Sequence, residues 1–142
     1  MRIAFGTDEP TPLTAAVVAE LERHGHEVSE VARAEPWPDV GRRVGEAVAS
    51  GRAERGVVCC WTGTGVSMAA NKVPGVRAAL CTDAETARGA RRWNDANVLA
   101  LSLRATSEAE LAEILDAWFD ALASEESADR ANVGHLAEIE RG

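Results

Sequence analysis

The stretch Gly56-Val57-Val58-Cys59-Cys60-Trp61-Thr62-Gly63-Thr64-Gly65-Val66-Ser67 decides the architecture. Its first five residues are apolar or small at successive positions, so both faces of the strand are expected to be buried, as in the centre of a parallel sheet. Two glycines and two threonines then lead into a helix beginning near Thr64–Val66. Such a turn leaves backbone N–H groups free beside the positive end of a helix, which suits an anion. The loop lacks the Gly-Lys-Ser/Thr ending of a P-loop and the spacing of a dinucleotide fingerprint. A plain tight turn is the other reading of the same residues.

Working outward, short apolar runs alternate with helical stretches. Arg2–Gly6 is a strand bounded by Thr7-Asp8. Thr11 and Pro12 supply an N-cap and a first helical turn, and the helix runs through Ala15, Val18 and Leu21 to a stop at Gly25. His26–Val31 alternates as a second strand, and Ala32–Pro38 is a loop. Asp39–Ser50 is a helix with Val40, Val44 and Val48 on one face. Val76–Cys81 and Asn97–Ser102 are further strands, with helices at about Ala84–Trp93 and Ser107–Ala123. Ser124–Asp129 is a polar link, and Ala128–Glu140 a terminal helix with Val133, Leu136 and Ile139 inward. This alternation predicts an α/β fold: one domain over 1–142, a parallel sheet with helices on both faces, and 124–142 as a C-terminal arm. Ligands of such sheets sit beyond the carboxyl ends of the strands. That directs attention to Asp8-Glu9, Trp37, Cys60–Gly65, Thr82-Asp83 and Arg104.

Composition narrows the partners. The chain has 142 residues, 46% of them hydrophobic, and 15 basic against 23 acidic side chains give a net charge of -8. That balance argues against nucleic acid and against anionic membranes. It leaves room for a small phosphorylated ligand in a locally basic pocket. No apolar run approaches the roughly 18–20 residues of a membrane span, and the apolar start is too short for a signal peptide. The cysteines are Cys59, Cys60 and Cys81. Neighbours on a strand point to opposite faces, so Cys59 and Cys60 are not expected to pair, and a reduced, cytoplasmic protein follows.

Cys60 stands at the mouth of the glycine loop, where a helix N-terminus favours a thiolate that could serve as base or nucleophile. A small buried hydrophobe is the commoner fate of cysteine, and Cys59 and Cys81 read that way. Asp8 reads as a rim carboxylate or a loop cap. Asn71–Gly75 reads as a connector. Arg88, Arg91 and Arg92 read as a solvated helix face. His24 and His26 flank a glycine at a helix end without a clear acidic or cysteine partner, His135 lies near the C-terminus, all three read as surface residues, and no metal site has credible spacing. Trp37, Trp61 and Trp93 fall in or beside loops, and Trp118 belongs to the core.

Four segments carry a resemblance to a known family: the quoted stretch continued through Met68-Ala69-Ala70-Asn71-Lys72-Val73-Pro74-Gly75-Val76-Arg77-Ala78-Ala79-Leu80-Cys81, Asn94–Leu99, Ala4–Asp8, and Trp37-Pro38-Asp39. In these the chain resembles the type B ribose-5-phosphate isomerases, a family shared with galactose-6-phosphate isomerase subunits. The resemblance implies a Rossmann-like α/β/α sandwich with a five-stranded parallel sheet, a homodimer with sites at the subunit interface, and no cofactor. It implies aldose–ketose isomerisation of a small sugar or sugar phosphate through a cis-enediolate. Carried over residue by residue, Cys60 is the base and Thr62 the hydroxyl involved in ring opening. The N–H groups of Trp61, Gly63, Thr64 and Gly65 form the anion hole. Asp8 and Asn94 bind substrate hydroxyls, and Arg104 a phosphate.

The departures concern the rest of the site. Glu9-Pro10-Thr11 stand where the family has His-Ala-Gly. Trp93 replaces a histidine tied to ring opening, and Trp61 replaces a glycine at the pocket wall. Of a C-terminal arginine pair that grips phosphate, at most Arg130 survives. These changes touch ring opening and phosphate binding while sparing proton transfer. They raise two alternatives: a smaller, open-chain or non-phosphorylated substrate with Glu9 on a hydroxyl or cation, or a sugar-binding homologue without turnover.

Overall fold

Five apolar runs pair as parallel strands in the computed structural model of the chain, which describes residues 1–142. In chain order the elements are β1 (Arg2–Thr7), α1 (Pro12–Arg23), β2 (Glu27–Arg33), α2 (Trp37–Ala49), β3 (Arg55–Cys60) and α3 (Thr64–Asn71). There follow β4 (Ala78–Leu80), α4 (Ala84–Asn94), β5 (Val98–Ser102), α5 (Glu108–Asp120) and α6 (Ser127–Arg141). The strand order is β2-β1-β3-β5-β4. From β1 the chain moves outward to β2 and then crosses back to β3. The strand order thus reverses between β1 and β3, and their carboxyl ends open the crevice where such sheets take ligands.

The sheet divides the core in two. On one face Phe5, Val57, Cys59, Leu99 and Leu101 pack under Val17 and Leu21 of α1 and Leu111, Ile114, Leu115 and Trp118 of α5. On the other, Ala4, Val58, Cys60, Val98 and Ala100 pack under Val40, Val44 and Val48 of α2 and Val66 and Ala70 of α3. Cys59 and Cys60 lie in different halves, as period-2 alternation requires. The helices start where the side chains say they should. Thr11 with Thr14, and Ser107 with Glu110, form capping boxes, and Asp83 accepts from the Thr86 N–H.

Several expectations need correction. α1 buries Thr14, Val17 and Leu21, and Ala15 faces outward. β2 runs on to Arg33 because Thr7 of β1 pairs with it, and α2 begins at Trp37, so little of the expected loop remains. Val133, Leu136 and Ile139 do not turn inward. α6 has no buried residue, with Leu136 48% and Ile139 63% exposed. The helix follows an extended link beyond the sheet and ties back chiefly through the Gly75 N–H, which donates to Glu140 Oε1 at 2.9 Å. Arg91 is no solvated residue. It is 5% exposed, donates to Asp95 Oδ1 and the Ala96 carbonyl, and stacks on Trp118. His24 does find an acid, Asp116 of α5, at 3.0 Å. No helix is long and apolar enough to cross a membrane.

Candidate active site

β3 and β5 build the cradle together. Leu103 N–H, just past β5, donates to the Cys60 carbonyl at 2.9 Å. The Trp61 carbonyl accepts twice, from the Ser102 hydroxyl at 3.1 Å and the Arg104 N–H at 3.0 Å. The loop backbone is thus clamped on the sheet edge while the Trp61 side chain stays 57% exposed.

Gly63 makes the turn. Its φ is 78°, a left-handed conformation, and a Cβ there would lie 2.5 Å from Leu80 Cδ1 and 3.0 Å from the Leu101 carbonyl carbon. Only glycine meets both conditions without strain. The turn aims the Gly63 N–H at Cys60 Sγ, 3.2 Å away. Thr62 and Thr64 share a hydroxyl hydrogen bond at 2.8 Å. No side chain caps α3. Its first-turn N–H groups therefore face outward without intrahelical acceptors, beside the positive end of the helix dipole. Gly65 lets the Trp37 ring close over this turn, since a Cβ would sit 2.8 Å from it.

Asp8 stands beside Cys60. Thr7 pairs with Cys59 across β1 and β3, and the Asp8 N–H donates to the Cys59 carbonyl at 3.4 Å. Asp8 Oδ1 is buried and has no hydrogen-bond partner. Burial, and next the charge of Glu9, hold this carboxyl above the usual carboxylate range. Glu9 is exposed, with its backbone fixed by the Thr7 hydroxyl at 2.9 and 3.3 Å. Cys59 and Cys81 are sealed in the core. Burial pushes the Cys81 thiol up to about 12 and the Cys59 thiol higher still. Asp83 is occupied in capping α4.

One chain therefore gathers Asp8, Glu9, Cys60, Trp61, Thr62, Gly63, Thr64, Gly65 and Arg104 at the carboxyl rim. It does not bring Trp93, Asn94 and Arg130 there. α4 starts at that rim and runs the other way, and its 11 residues span about 16 Å. Asn94 lines a cleft with Arg77, Ala78, Val133 and Leu136, and Trp93 and Arg130 line another with Arg92 and Asp129. Sequence reasoning missed Ser102. It is the one hydroxyl in the apolar run from Val98 to Leu103, and that isolation was the available signal.

The rim can hold an anionic oxygen against main-chain donors with a thiol and a carboxyl beside it. Known proteins share this arrangement's sequence and shape. A profile of the ribose/galactose isomerase family matches residues 3–136. Galactose-6-phosphate isomerase subunit LacB of Clostridium acetobutylicum is 38% identical over 126 residues, 85% of this chain and 73% of that protein. D-erythrulose-4-phosphate isomerase of Pectobacterium atrosepticum is 42% identical over 85 residues, 60% of this chain and 56% of that protein. The solved ribose-5-phosphate isomerase B of Clostridium thermocellum superposes with a TM-score of 0.92 at 40% identity, covering 99% of this chain and 98% of that one.

Proposed function

The chain belongs to the ribose/galactose isomerase family, and from that premise we propose that Cys60 is the base of a cofactor-independent aldose–ketose isomerisation of a sugar phosphate. The Cys60 thiolate takes the proton from C2 of the open-chain aldose. The electron pair moves onto the aldehyde oxygen to form a cis-enediolate, the hydroxyl proton passes from the C2 oxygen to the C1 oxygen, and the proton held by Cys60 returns to C1 to give the ketose. Charge developing on the substrate oxygens meets the N–H groups at the start of α3, and such preorganised donors contribute much of the barrier lowering in reactions of this kind. In this reading Asp8 and Glu9, at the rim beside Cys60, take hydroxyls of the substrate, and Thr62 serves ring opening. The observation that carries this reading is the Gly63 N–H on Cys60 Sγ at 3.2 Å, which seats the thiol inside the anion cradle.

The family's members named above act on phosphorylated sugars of four to six carbons, so membership does not choose the substrate. Trp61, 57% exposed at the cradle wall, favours a short one. Trp93, Asn94 and Arg130 enter the site only if a second copy of the chain presents its α4 and α6 ends to the rim, which is the reason we assign a homodimer. Turnover of a tetrulose 4-phosphate, ribose 5-phosphate and their unphosphorylated sugars, compared on one preparation, tests the substrate. Strong preference for ribose 5-phosphate would sink the short-substrate reading. Exchange of the C1/C2 proton with solvent should vanish in Cys60→Ala; exchange that persists refutes Cys60 as base, and a parent chain that exchanges nothing refutes the enzyme.

A further inference from the structure

Gly65 is the second residue of α3, and its φ is not left-handed. Alanine would suit the helix better, because glycine weakens a helical position that any residue can adopt. One side chain stands in the way. The three atoms nearest a would-be Cβ are Cδ2, Cε3 and Cε2 of Trp37, at 2.8, 2.9 and 3.3 Å. The indole therefore lies directly against the Gly65 backbone, in the turn whose N–H groups form the cradle.

Burial does not account for a ring in that place, since Trp37 stays 45% exposed. Its position is nevertheless fixed by α2. Trp37 is the first residue of that helix, and Pro38, the next, stiffens the turn. One turn on, a Cβ at Gly41 would stand 2.8 Å from both the Ala70 nitrogen and the Val66 carbonyl oxygen. The backbones of α2 and α3 are thus in close contact. Trp37 and Gly41, one turn apart, face Gly65 and Ala69, one turn apart. The first turn of α3 has no capping side chain of its own, so the indole is the packing it has on this side.

We infer that Trp37 is a positioning residue of the isomerase. Seated on Gly65, it holds the first-turn N–H groups of α3 where negative charge develops on the substrate. The inference rests on the cradle reading above and adds a requirement to it. Such donors work only when held within about 0.5 Å of the productive geometry, and an uncapped turn containing glycine does not hold itself there.

The test is a double-mutant cycle on the full chain with two readouts. One is kcat and KM for ribose 5-phosphate or a tetrulose 4-phosphate, whichever the parent turns over faster. The other is Ki for the phosphorylated aldonohydroxamate one carbon shorter than that sugar, whose planar head imitates the enediolate. Trp37→Ala should lower kcat roughly tenfold to hundredfold and raise Ki by a similar factor, with KM nearly unchanged. Ki does not depend on the fraction of folded protein, so a merely structural role would leave it alone. Trp37→Phe, which keeps a ring, should restore most of both. Gly65→Ala should impair the parent, where the methyl meets the indole, and improve Trp37→Ala, where the methyl takes the indole's place. A parent-like Ki in Trp37→Ala, or a Gly65→Ala effect alike in both backgrounds, overturns the inference. A parent that turns over the sugar yet does not bind the hydroxamate overturns the cradle reading itself, and this inference with it.

Discussion

Gly63→Ala is the sharpest probe of the cradle. The variant must hold alanine at a φ of 78°, and a left-handed residue with a Cβ costs roughly 1–2 kcal/mol. The new methyl would also sit 2.5 Å from Leu80 Cδ1 and 3.0 Å from the Leu101 carbonyl carbon. Leucine can turn aside, but the Leu101 backbone is paired into β5. Overpacking of this kind adds roughly 1–3 kcal/mol. Gly25 supplies the control, with a φ of 87° and nothing within 4 Å of its would-be Cβ. Gly25→Ala should therefore show the conformational cost alone. With an unfolding entropy of about 2 cal/mol/K per residue, each kcal/mol lowers Tm by roughly 3 °C at this length. Thermal unfolding by circular dichroism should place Gly25→Ala roughly 3–6 °C below the parent and Gly63→Ala roughly 6–15 °C below. Equal shifts in the two variants would refute the claim that the Gly63 turn is closed by its neighbours.

Other outcomes follow from the same geometry. Asp8 has its folded carboxyl raised, so between the ordinary carboxylate value and that raised value the folded state binds more protons, and stability falls as pH rises. Asp8→Asn should melt higher than the parent at neutral pH and lose that advantage below the ordinary carboxylate range; a lower melt at neutral pH refutes the burial argument. All three thiols are buried, but Cys60 keeps 5% of its surface exposed where Cys59 and Cys81 keep none, so native alkylation at pH 8 should modify Cys60 first, with Cys59 and Cys81 reacting only in denaturant; mass spectrometry that finds either of these two modified in the folded chain would contradict their burial. Asn71 clamps Ala78 through both its N–H and its carbonyl, at 2.8 and 3.0 Å. Asn71→Ala should therefore cost about 1–2 kcal/mol in urea unfolding, and no change in the midpoint would demote the clamp to a surface contact. Trp118→Ala, which empties a fully buried site, should cost roughly 3–5 kcal/mol.

The strand–loop–helix was legible because local rules coincide there. Uninterrupted apolar residues, glycines at the turn and threonines at the helix start all ask for the same geometry, and the buried Val57–Cys60 segment and Gly63 turn answer it. Asp8 and Arg104 were legible as rim residues because they follow strands. Less visible was anything set by tertiary packing. Arg91 carries the composition of an exposed helix end, yet the αL turn at Asp95 and the Trp118 ring draw it into the core. The apolar stripe of α6 obeys helical periodicity, but periodicity says which residues share a face and not whether the chain itself covers that face. For the same reason Trp93, Asn94 and Arg130 could be named from sequence while their distance from Cys60 could not.

The Trp61 carbonyl, held twice by the end of β5, separates two kinds of information in this protein. The donors that would bear the chemistry are main-chain atoms, the same whatever side chain position 61 carries. The wall that would select a substrate is that side chain, pointing away from the clamp. Under the proposed reading, a substitution at 61 would change what is admitted without disturbing how it is processed, so ligand preference would drift on a fixed reactive frame.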